Sequence, residues 1–452
     1  MDAESMPMSS RCWRWTTGLL VLFGAMGAAS AIDVPLTYHR HPEDKQVFLP
    51  YGNIRLELKL AAPEGTWKLP ELQGKQPLYA LVEVGETKRL LVFARQKEGD
   101  DFYNRLYYDS NANGDLTDDN TIVGTIEKEE PPNQYWNIRF PSVDTTYQTG
   151  GKTLSYCLRA RGAVWNPEEF KKATLAEDRI DEFFYLSLDV ECSYSGKFTI
   201  ENDTYSIALG DTNGNGRFDD KARLEKRVGP RMRSDPAYYS GDQFYLSTER
   251  RPDYRDGWKC GDLLLLKGQL YEVAIDIPAA RVTLTQTKQS LVPLKLGAET
   301  ERLSICSEND EHYVMMLQPG TAVNVPKGKY RLMSYQMRRK DKDGNPWLLA
   351  ASGAKDSAWV NAEEGGNAVL SLGEPFVPFT EVAPWSVQND QVRLQFCAEG
   401  AGKELVSDLA RLSGEGSSIA MSAKRQDRPK EPAYKIITGE GEVATQGDFE
   451  YG

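Results

Sequence analysis

The sequence predicts a mostly β protein that contains several domains. Apolar residues alternate with polar ones over run after run, most clearly at 54–60, 184–190, 271–277 and 392–396. A period of two is typical of strands that bury one face. The 452 residues are also enough for three or four domains of roughly 100–150 residues each.

Helices are expected in two places only. The first covers residues 166–176, where Asn166 provides an N-cap, Pro167 occupies the first helical position and two acids follow in the first turn. The second covers residues 403–412. The remaining chain is expected to form strands and turns.

The first 31 residues have the three parts of a secretory signal peptide. Arg11 and Arg14 precede a short apolar run over 17–26, and Ala29-Ser30-Ala31 provides an A-x-A ending. That run is too short to span a bilayer comfortably, and no later stretch approaches 18 apolar residues. We therefore expect cleavage near residue 31, a secreted or periplasmic location and no membrane span afterwards, with a retained anchor helix as the alternative.

The charge of the chain limits its partners. The net charge is −12, and such an acidic surface repels the phosphates of nucleic acid and favours divalent cations. Nucleic acid is therefore not expected as a partner.

The cysteines do not predict a disulfide scaffold. Five cysteines follow residue 31, their spacing is wide and irregular, and they contain no CxxC pair. They are expected to be small buried residues, with a disulfide between the first two as the alternative: Cys157, Cys192, Cys260, Cys306 and Cys397.

Two segments of the chain are similar to each other at an offset of 102 residues. Residues 109–120 and 211–222 both contain the pattern Asp-x-Asn-x-Asn-Gly, followed by an apolar residue at position 8 and two acids within positions 9–11. The offset predicts two copies of one β module, over residues 32–150 and 151–290.

The residue types in these two loops suit calcium. Calcium takes six to eight oxygen ligands, and side chains at positions 1, 3 and 5 of a curled loop can supply several of them. Glycine at position 6 permits the sharp turn that brings the carbonyl of position 7 toward the ion. The apolar position 8, Leu116 or Phe218, is expected to anchor the loop to the core.

Both segments resemble the calcium loop of EF-hand and dockerin-type proteins over about twelve positions each. The resemblance implies side-chain ligands at the first, third and fifth positions and a carbonyl ligand at the seventh. In loop 1 these residues are Asp109, Asn111, Asn113 and, through its carbonyl, Asp115. In loop 2 they are Asp211, Asn213, Asn215 and, through its carbonyl, Arg217.

The loops also depart from that family's pattern. Position 12 is Asn120 in loop 1 and Ala222 in loop 2, so the bidentate glutamate is missing. Asp118 in loop 1, and Asp219 or Asp220 in loop 2, are expected to replace it from an earlier position.

The segments that enter the loops, residues 105–108 and 205–209, read as strands rather than helices. We therefore expect weak calcium loops set into β structure, with dissociation constants on the order of 10⁻⁴–10⁻³ M. The alternative is a pair of Asx-rich turns that bind no ion.

The C-terminal third is expected to contain two immunoglobulin-like β-sandwich domains, over residues 291–380 and 381–452, because short strands recur there between turn residues. A linker is expected at 376–384 and a polar loop at 413–432. A hairpin is expected at 434–451. Residues 341–345 imitate a third calcium loop, but their glycine is misplaced, so a hairpin turn at Asp343-Gly344 is the better interpretation.

No catalytic motif stands out. The chain has only His39, His41 and His312, the first two expected to be solvated, and it contains no HExxH or GxSxG motif. The sequence therefore predicts an exported calcium-binding protein, a non-catalytic binding or surface-structural scaffold, whose partner is a glycan or another surface protein.

The alternative is a carbohydrate-active enzyme or a carbohydrate-binding accessory protein. It draws on seven tryptophans that could include a sugar-stacking surface, although core packing is their more common fate: Trp67, Trp136, Trp165, Trp258, Trp347, Trp359 and Trp385.

Overall fold

The structure is a computed structural model that describes residues 31–41, 52–74, 76–97, 103–128, 135–165, 176, 179–225, 232, 235–248, 252, 256–309, 312–354, 356–382, 393–412 and 429–449. These residues form thirty strands and one short helix, α1 (Ile180–Phe183), so the prediction of a mostly β protein is confirmed. Residues 1–30 of the expected signal peptide, 166–175 of the first expected helix and most of the polar loop lie outside the described residues. The described part of the chain contains no helix whose length and apolar character would let it span a bilayer.

The strands in the first half of the chain are β1 (Ala31–Arg40), β2 (Gly52–Arg55), β3 (Leu78–Val84), β4 (Thr87–Ala94), β5 (Arg105–Tyr108), β6 (Ile122–Val123), β7 (Thr125–Lys128), β8 (Tyr135–Thr149), β9 (Lys152–Trp165), β10 (Phe184–Val190), β11 (Cys192–Ile200), β12 (Asp203–Gly210), β13 (Arg223–Leu224), β14 (Tyr239–Ser240) and β15 (Gln243–Thr248).

The strands in the second half are β16 (Gly257–Lys259), β17 (Leu263–Leu266), β18 (Gln269–Asp276), β19 (Arg281–Gln286), β20 (Leu291–Ser307), β21 (Tyr313–Pro326), β22 (Gly328–Lys340), β23 (Pro346–Ser352), β24 (Val360–Ala362), β25 (Val369–Leu370), β26 (Val377–Val382), β27 (Leu394–Glu399), β28 (Leu405–Arg411), β29 (Ala433–Ile437) and β30 (Val443–Asp448).

The two predicted modules share a five-stranded sheet with the order β2-β10-β9-β8-β7. Its centre is the long hairpin of β8 and β9, which turns at Gly150 and Gly151, where φ is +54° and +72°. Glycine adopts this left-handed conformation without a steric penalty. The boundary expected at residue 150 therefore lies in a hairpin turn, with paired strands on both sides.

A larger sheet of seventeen strands begins at β1 and extends to β28. The first half of β1 pairs with β19, for example Ile32 with Leu284, and its second half pairs with β11, for example Tyr38 with Tyr194. A separate four-stranded sheet has the order β3-β4-β5-β6. Antiparallel neighbours dominate all three sheets.

The hairpins that lead into the two loops have the same register. Val92 of β4 pairs with Tyr107 of β5, and Tyr194 of β11 pairs with Leu209 of β12. Each residue of the second pair lies 102 positions after its counterpart in the first, which is the offset between the loop sequences.

The two largest clusters of buried apolar residues form the cores beneath these sheets. The first contains buried residues from Val34 to Met333, so it draws on both predicted modules. The second contains residues from Leu263 to Leu372 and lies under β20–β25. Alternate residues of the strands enter these cores, as the period-two pattern predicts.

Two expectations for the C-terminal part are wrong. Residues 403–412 form no helix, because β28 pairs with β23, for example Ala410 with Leu348. Cross-strand pairing overrides the helix propensity of this segment. The expected linker at 376–384 contains β26, which pairs with β27, so the boundary placed at residue 380 falls inside a strand.

Two expected hairpins are confirmed. Residues 434–451 contain β29 and β30, which pair with each other. Asp343 and Gly344 lie in the turn between β22 and β23, where Gly344 has a φ of +82°. Cys157, Cys192 and Cys260 are free thiols, so the alternative of a disulfide between the first two is wrong; these three and Cys306 are buried, whereas Cys397 is half-buried.

Candidate metal centre

Loop 1 (residues 109–120) begins where β5 ends, and its first side chain points into the protein. Asp109 is fully buried. Its Oδ1 accepts the backbone N–H of Asn113 at 3.1 Å, and its Oδ2 accepts that of Gly114 at 3.2 Å. The carboxylate therefore draws the first six positions of the loop into a curl.

Positions 3, 5 and 10 of loop 1 are joined by hydrogen bonds. Asn111 Oδ1 accepts the N–H of Asn113 at 3.0 Å. Asn113 Nδ2 donates to Asp118 Oδ2 at 2.8 Å, and Asn113 Oδ1 accepts the N–H of Asp115 at 2.7 Å. The structure thus brings four of the predicted ligand side chains of loop 1 into one network, which includes Asp109.

The other acids of loop 1 have partners of their own. Asp115 Oδ2 lies 2.6 Å from Lys68 Nζ, and this contact lowers the pKa of Asp115 to about 2. Its Oδ1 accepts the N–H of Thr117 at 2.9 Å. Asp119, at position 11, accepts the N–H of Ser110 at 3.2 Å and closes the loop. The side chain of Asp115 therefore does not join the network of Asp109.

Loop 2 (residues 211–222) follows β12 and has the same kind of first position. Asp211 is buried, with only 1% of its surface exposed. Its Oδ1 accepts the N–H of Gly214 at 2.6 Å, and its Oδ2 accepts that of Gly216 at 2.7 Å. Tyr156, from β9, also donates its hydroxyl to Oδ2 at 2.6 Å.

The side chains at positions 3, 5 and 10 of loop 2 converge. Asn213 Nδ2 and Asn215 Nδ2 both donate to Asp220 Oδ2, at 2.8 and 2.6 Å. Asn213 Oδ1 also accepts the N–H of Asn215 at 3.2 Å. Asp220 occupies the same position as Asp118 in loop 1, so the acid at position 10 is the one that both loops bring into the network.

Asp219, at position 9 of loop 2, contacts an arginine instead of the two asparagines. Arg217 Nε lies 3.4 Å from Asp219 Oδ1, and Arg217 Nη2 lies 3.3 Å from Asp220 Oδ1. The N–H of Arg217 donates to Asn215 Oδ1 at 2.8 Å. Of the two acids that the sequence left open, Asp220 belongs to the network, and Asp219 contacts the guanidinium.

Glycine and an apolar residue fix both loops. Gly114 and Gly216 have φ angles of +78° and +80°, so position 6 needs glycine in each copy. Leu116 and Phe218, at position 8, are 1% and 0% exposed. The ring edge of Phe218 packs on Tyr194 with 5.0 Å between ring centroids. The predicted anchoring of position 8 is confirmed.

A buried arginine that the sequence pattern did not single out holds the start of loop 1. Arg89, from β4, is 1% exposed. Its Nη1 donates to the carbonyls of Asp109 and Ser110 and, at 2.6 Å, to Thr145 Oγ1, while its Nη2 donates to the carbonyl of Thr146. A full positive charge is therefore fixed beneath loop 1.

Loop 2 has a buried carboxylate in place of a buried cation. Asp242 is fully buried, and it accepts the N–H of Thr212 at 3.0 Å through Oδ1 and that of Asp220 at 2.9 Å through Oδ2. It thereby joins positions 2 and 10 of the loop. Asp242 belongs to no motif, and thirty residues separate it from Thr212, so the sequence pattern could not identify it.

Burial governs the ionisation of these carboxyls. Burial raises the pKa of Asp109, although the N–H groups of Gly114 and Asn113 oppose the effect. Burial raises the pKa of Asp211 to about 6, against the hydrogen bonds that it accepts. Burial, and then the charge of Asp211, raise the pKa of Asp242 to about 8. A bound cation would favour the charged forms of all three.

The described residues contain no group of three histidine, cysteine, aspartate or glutamate side chains close enough to hold a metal ion on their own. The predicted ligand sets differ from such a group, because they combine carboxylates with asparagine oxygens and a main-chain carbonyl. Hard oxygen donors of this mixed kind suit calcium better than zinc or copper.

Comparison with protein-family models, with curated proteins and with solved structures finds no match for this chain.

The other side chains of interest are dispersed. His39 is half-buried, with Nε2 2.8 Å from Ser195 Oγ, and His41 is buried, so the expectation that both are solvated is wrong. They belong to β1 or follow it directly, and the pairing of β1 covers them. Trp136 and Trp258 are buried, whereas Trp165 and Trp359 are exposed.

Proposed function

We propose that this chain is an exported, calcium-binding β protein that acts as a non-catalytic binding or surface-structural scaffold. Calcium has a structural role in it, one ion in each loop. The two modules that carry the loops precede two immunoglobulin-like domains, and the signal peptide directs the chain out of the cytosol.

One observation carries the proposal: two loops 102 residues apart share two hydrogen bonds, although Oδ1 of the first aspartate accepts from position 5 in loop 1 and from position 4 in loop 2. In both, the first aspartate is buried and accepts the N–H of the position-6 glycine. In both, the asparagine at position 5 contacts the aspartate at position 10. A chance Asx-rich turn has no reason to recur with the same contacts and the same entering register, whereas a duplicated ion site does.

The ligand set also fits a calcium role outside the cytosol. Each loop has two carboxylates in its network and lacks the bidentate glutamate at position 12. Low ligand charge is typical of weak extracellular sites, with dissociation constants on the order of 10⁻⁴–10⁻³ M. Millimolar calcium would fill such sites and would stabilise the folded state by mass action.

The proposal is tested by thermal melting of the full chain in EDTA and after calcium is added back. Calcium should raise the melting temperature of the wild type, and Asp109→Ala and Asp211→Ala should each remove part of that rise, because each removes one ion site. The calcium-dependent rise is the quantity compared, rather than the melting temperature itself.

Asp341→Ala is the matched control. Asp341 also heads an Asx turn, since it accepts the N–H groups of Asp343 and Asn345, but its turn lacks the loop pattern. This variant should lower the melting temperature without changing the rise that calcium produces. An absence of any calcium-dependent rise in the wild type would exclude the proposed role.

A further inference from the structure

A cleft of about 470 Å³ lies between the large sheet and the five-stranded sheet, beside loop 1. β1 of the large sheet, β8 and β9 of the five-stranded sheet and the start of loop 1 form its walls. Its lining includes Tyr38, Arg40, Asn111, Asp144, Thr146 and Ser155. The volume is within the range of roughly 300–1,000 Å³ that small-molecule sites occupy, and junctions between structural units are common places for such sites.

The cleft has no net charge of its own. Arg40 and Asp144 are its two charged side chains, and Arg40 Nε lies 2.6 Å from Asp144 Oδ1. A cleft for a phosphate or another anion would need an excess of accessible cationic groups. Arg89 lies behind this wall, but it is 1% exposed and donates to the carbonyls of Ser110 and Thr146 rather than into the cleft. A cation would need an excess of carboxylates, and the single aspartate already has the guanidinium as its partner.

The accessible groups of the cleft can both donate and accept hydrogen bonds. Asn111, Thr146 and Ser155 are exposed, and they contribute one carboxamide and two hydroxyls. A ligand hydroxyl also donates and accepts, so it matches such a wall, whereas an anion can use only donors and a cation only acceptors. Tyr38 adds an aromatic side chain to the same wall.

We propose that this cleft binds a neutral polyhydroxylated ligand, a sugar unit of a glycan. The inference goes beyond the calcium proposal, because it requires no ion in either loop. The two sites share only Asn111, whose Oδ1 accepts the N–H of Asn113 within loop 1 and whose Nδ2 can donate to a ligand in the cleft. It gives the scaffold a specific place to hold a carbohydrate, and none of the six tryptophans in the described part of the chain lines it.

Isothermal titration and saturation-transfer NMR of the full chain with maltose, cellobiose, lactose and chitobiose test the proposal. The wild type should bind at least one of the four saturably. Ser155→Trp fills the cleft from an exposed position of β9 and should weaken that binding at least about tenfold. Thr146→Val removes one hydroxyl without filling the cleft and should weaken binding about threefold.

Ser407→Trp is the matched control, because Ser407 is also an exposed serine on a strand, β28, and lies outside the cleft. It should change binding by less than about twofold. A melting curve of each variant in the absence of sugar checks that it is folded, and Thr146→Val provides the test if Ser155→Trp is not.

Three results would overturn the inference: no saturable binding of any of the four disaccharides by the folded wild type, unchanged binding by folded Ser155→Trp and Thr146→Val, or tighter binding of inorganic phosphate than of every disaccharide. The calcium proposal is tested by melting curves that are recorded in the absence of sugar. Each proposal can therefore fail while the other is supported.

Discussion

At the scale of single residues, Asp211 shows how loop 2 depends on a distant part of the chain. The carboxylate belongs to loop 2, but Tyr156, which donates to it at 2.6 Å, belongs to β9 of the five-stranded sheet. Both groups are buried, so the hydrogen bond has no water to replace it. A charge-assisted bond in such a site contributes more than a neutral one at the surface.

Tyr156→Phe should therefore destabilise the calcium-free protein by about 1–3 kcal/mol, because it leaves one lone pair of a buried carboxylate without a partner. The free energy of unfolding in urea, measured in EDTA, checks this. Tyr185→Phe is the control: Tyr185 donates to the neutral amide oxygen of Asn53 at 3.2 Å in a half-buried position, so its loss should matter less. Equal effects of the two variants would contradict the expectation.

The same buried carboxyls predict a pH dependence. The pKa values of Asp211 and Asp242 in the folded state, about 6 and about 8, lie above those of the unfolded chain, so the folded state holds protons more tightly. Their contribution to stability is therefore complete at low pH and is lost as pH rises through these values. Calcium binds the ionised forms, so its stabilising effect should increase over the same range.

The rise in melting temperature that calcium produces should thus be larger at about pH 8 than at about pH 5. The comparison with Asp211→Ala isolates the loop, because that variant removes one of the two coupled carboxyls. A wild-type rise that is the same at both pH values would contradict the assignment of these residues to an ion site.

At the scale of elements, the sequence predicts the local features of the two loops but not their long-range partners. The entering strands, the buried first aspartate, the glycine at position 6 and the anchor at position 8 follow from local pattern, and the structure has all of them. Arg89 and Asp242 are different, because only tertiary folding brings β4 and the segment before β15 to the loops. Local periodicity contains no information on such long-range partners.

These two partners make the loops unequal. Loop 1 has a buried guanidinium at the carbonyls of its first two positions, and loop 2 has a buried carboxylate at the amides of positions 2 and 10. A buried positive charge opposes the binding of a cation, and a buried negative charge favours it. The guanidinium of Arg217, 3.3 Å from Asp220 Oδ1 in loop 2, is 56% exposed, so solvent screens its charge.

Loop 2 should accordingly bind calcium about tenfold more tightly than loop 1. Titration of Asp109→Ala, which keeps loop 2, and of Asp211→Ala, which keeps loop 1, measures the two constants separately. Arg89→Met in the Asp211→Ala background should reduce the difference if that double variant folds. If Asp211→Ala, which keeps loop 1, bound calcium more tightly than Asp109→Ala, which keeps loop 2, this order of affinities would be contradicted.

Segment 403–412 illustrates the opposite case, in which local pattern misleads. Its residues have adequate helix propensity, yet β28 completes the edge of β23, and Leu349 pairs there with Leu409. Propensity differences amount to less than about 1 kcal/mol per residue, so a ladder of backbone hydrogen bonds outweighs them.

At the scale of the whole molecule, the two predicted modules interlock rather than stand apart. The N–H of Gly85, in the turn between β3 and β4, donates to the carbonyl of Asn215 in loop 2 at 2.6 Å. β2 pairs with β10, and both halves contribute to one core. Periodicity predicts the strands, and the two loop sequences predict the offset of 102 residues. Neither predicts that the two modules share sheets, because a local pattern contains no information on strand order.

A fragment of residues 31–150 should therefore not fold on its own, whereas residues 31–290 should retain more of their β structure. The shorter fragment loses β9, β10, β11 and β19, which pair with β8, β2 and both halves of β1. Circular dichroism with thermal melting measures the difference. A cooperative transition in the shorter fragment would indicate two autonomous units instead.

The placement of β1 also sets the order in which the protein can be completed. This strand leaves the ribosome early, but its two partners, β11 and β19, emerge only after residues 200 and 286 have been made. Its ladders must then close over very long loops of chain, and pairings of that kind form slowly. Synthesis can thus run well ahead of folding, and the newly made polypeptide spends that interval with an uncovered strand that chaperones can bind.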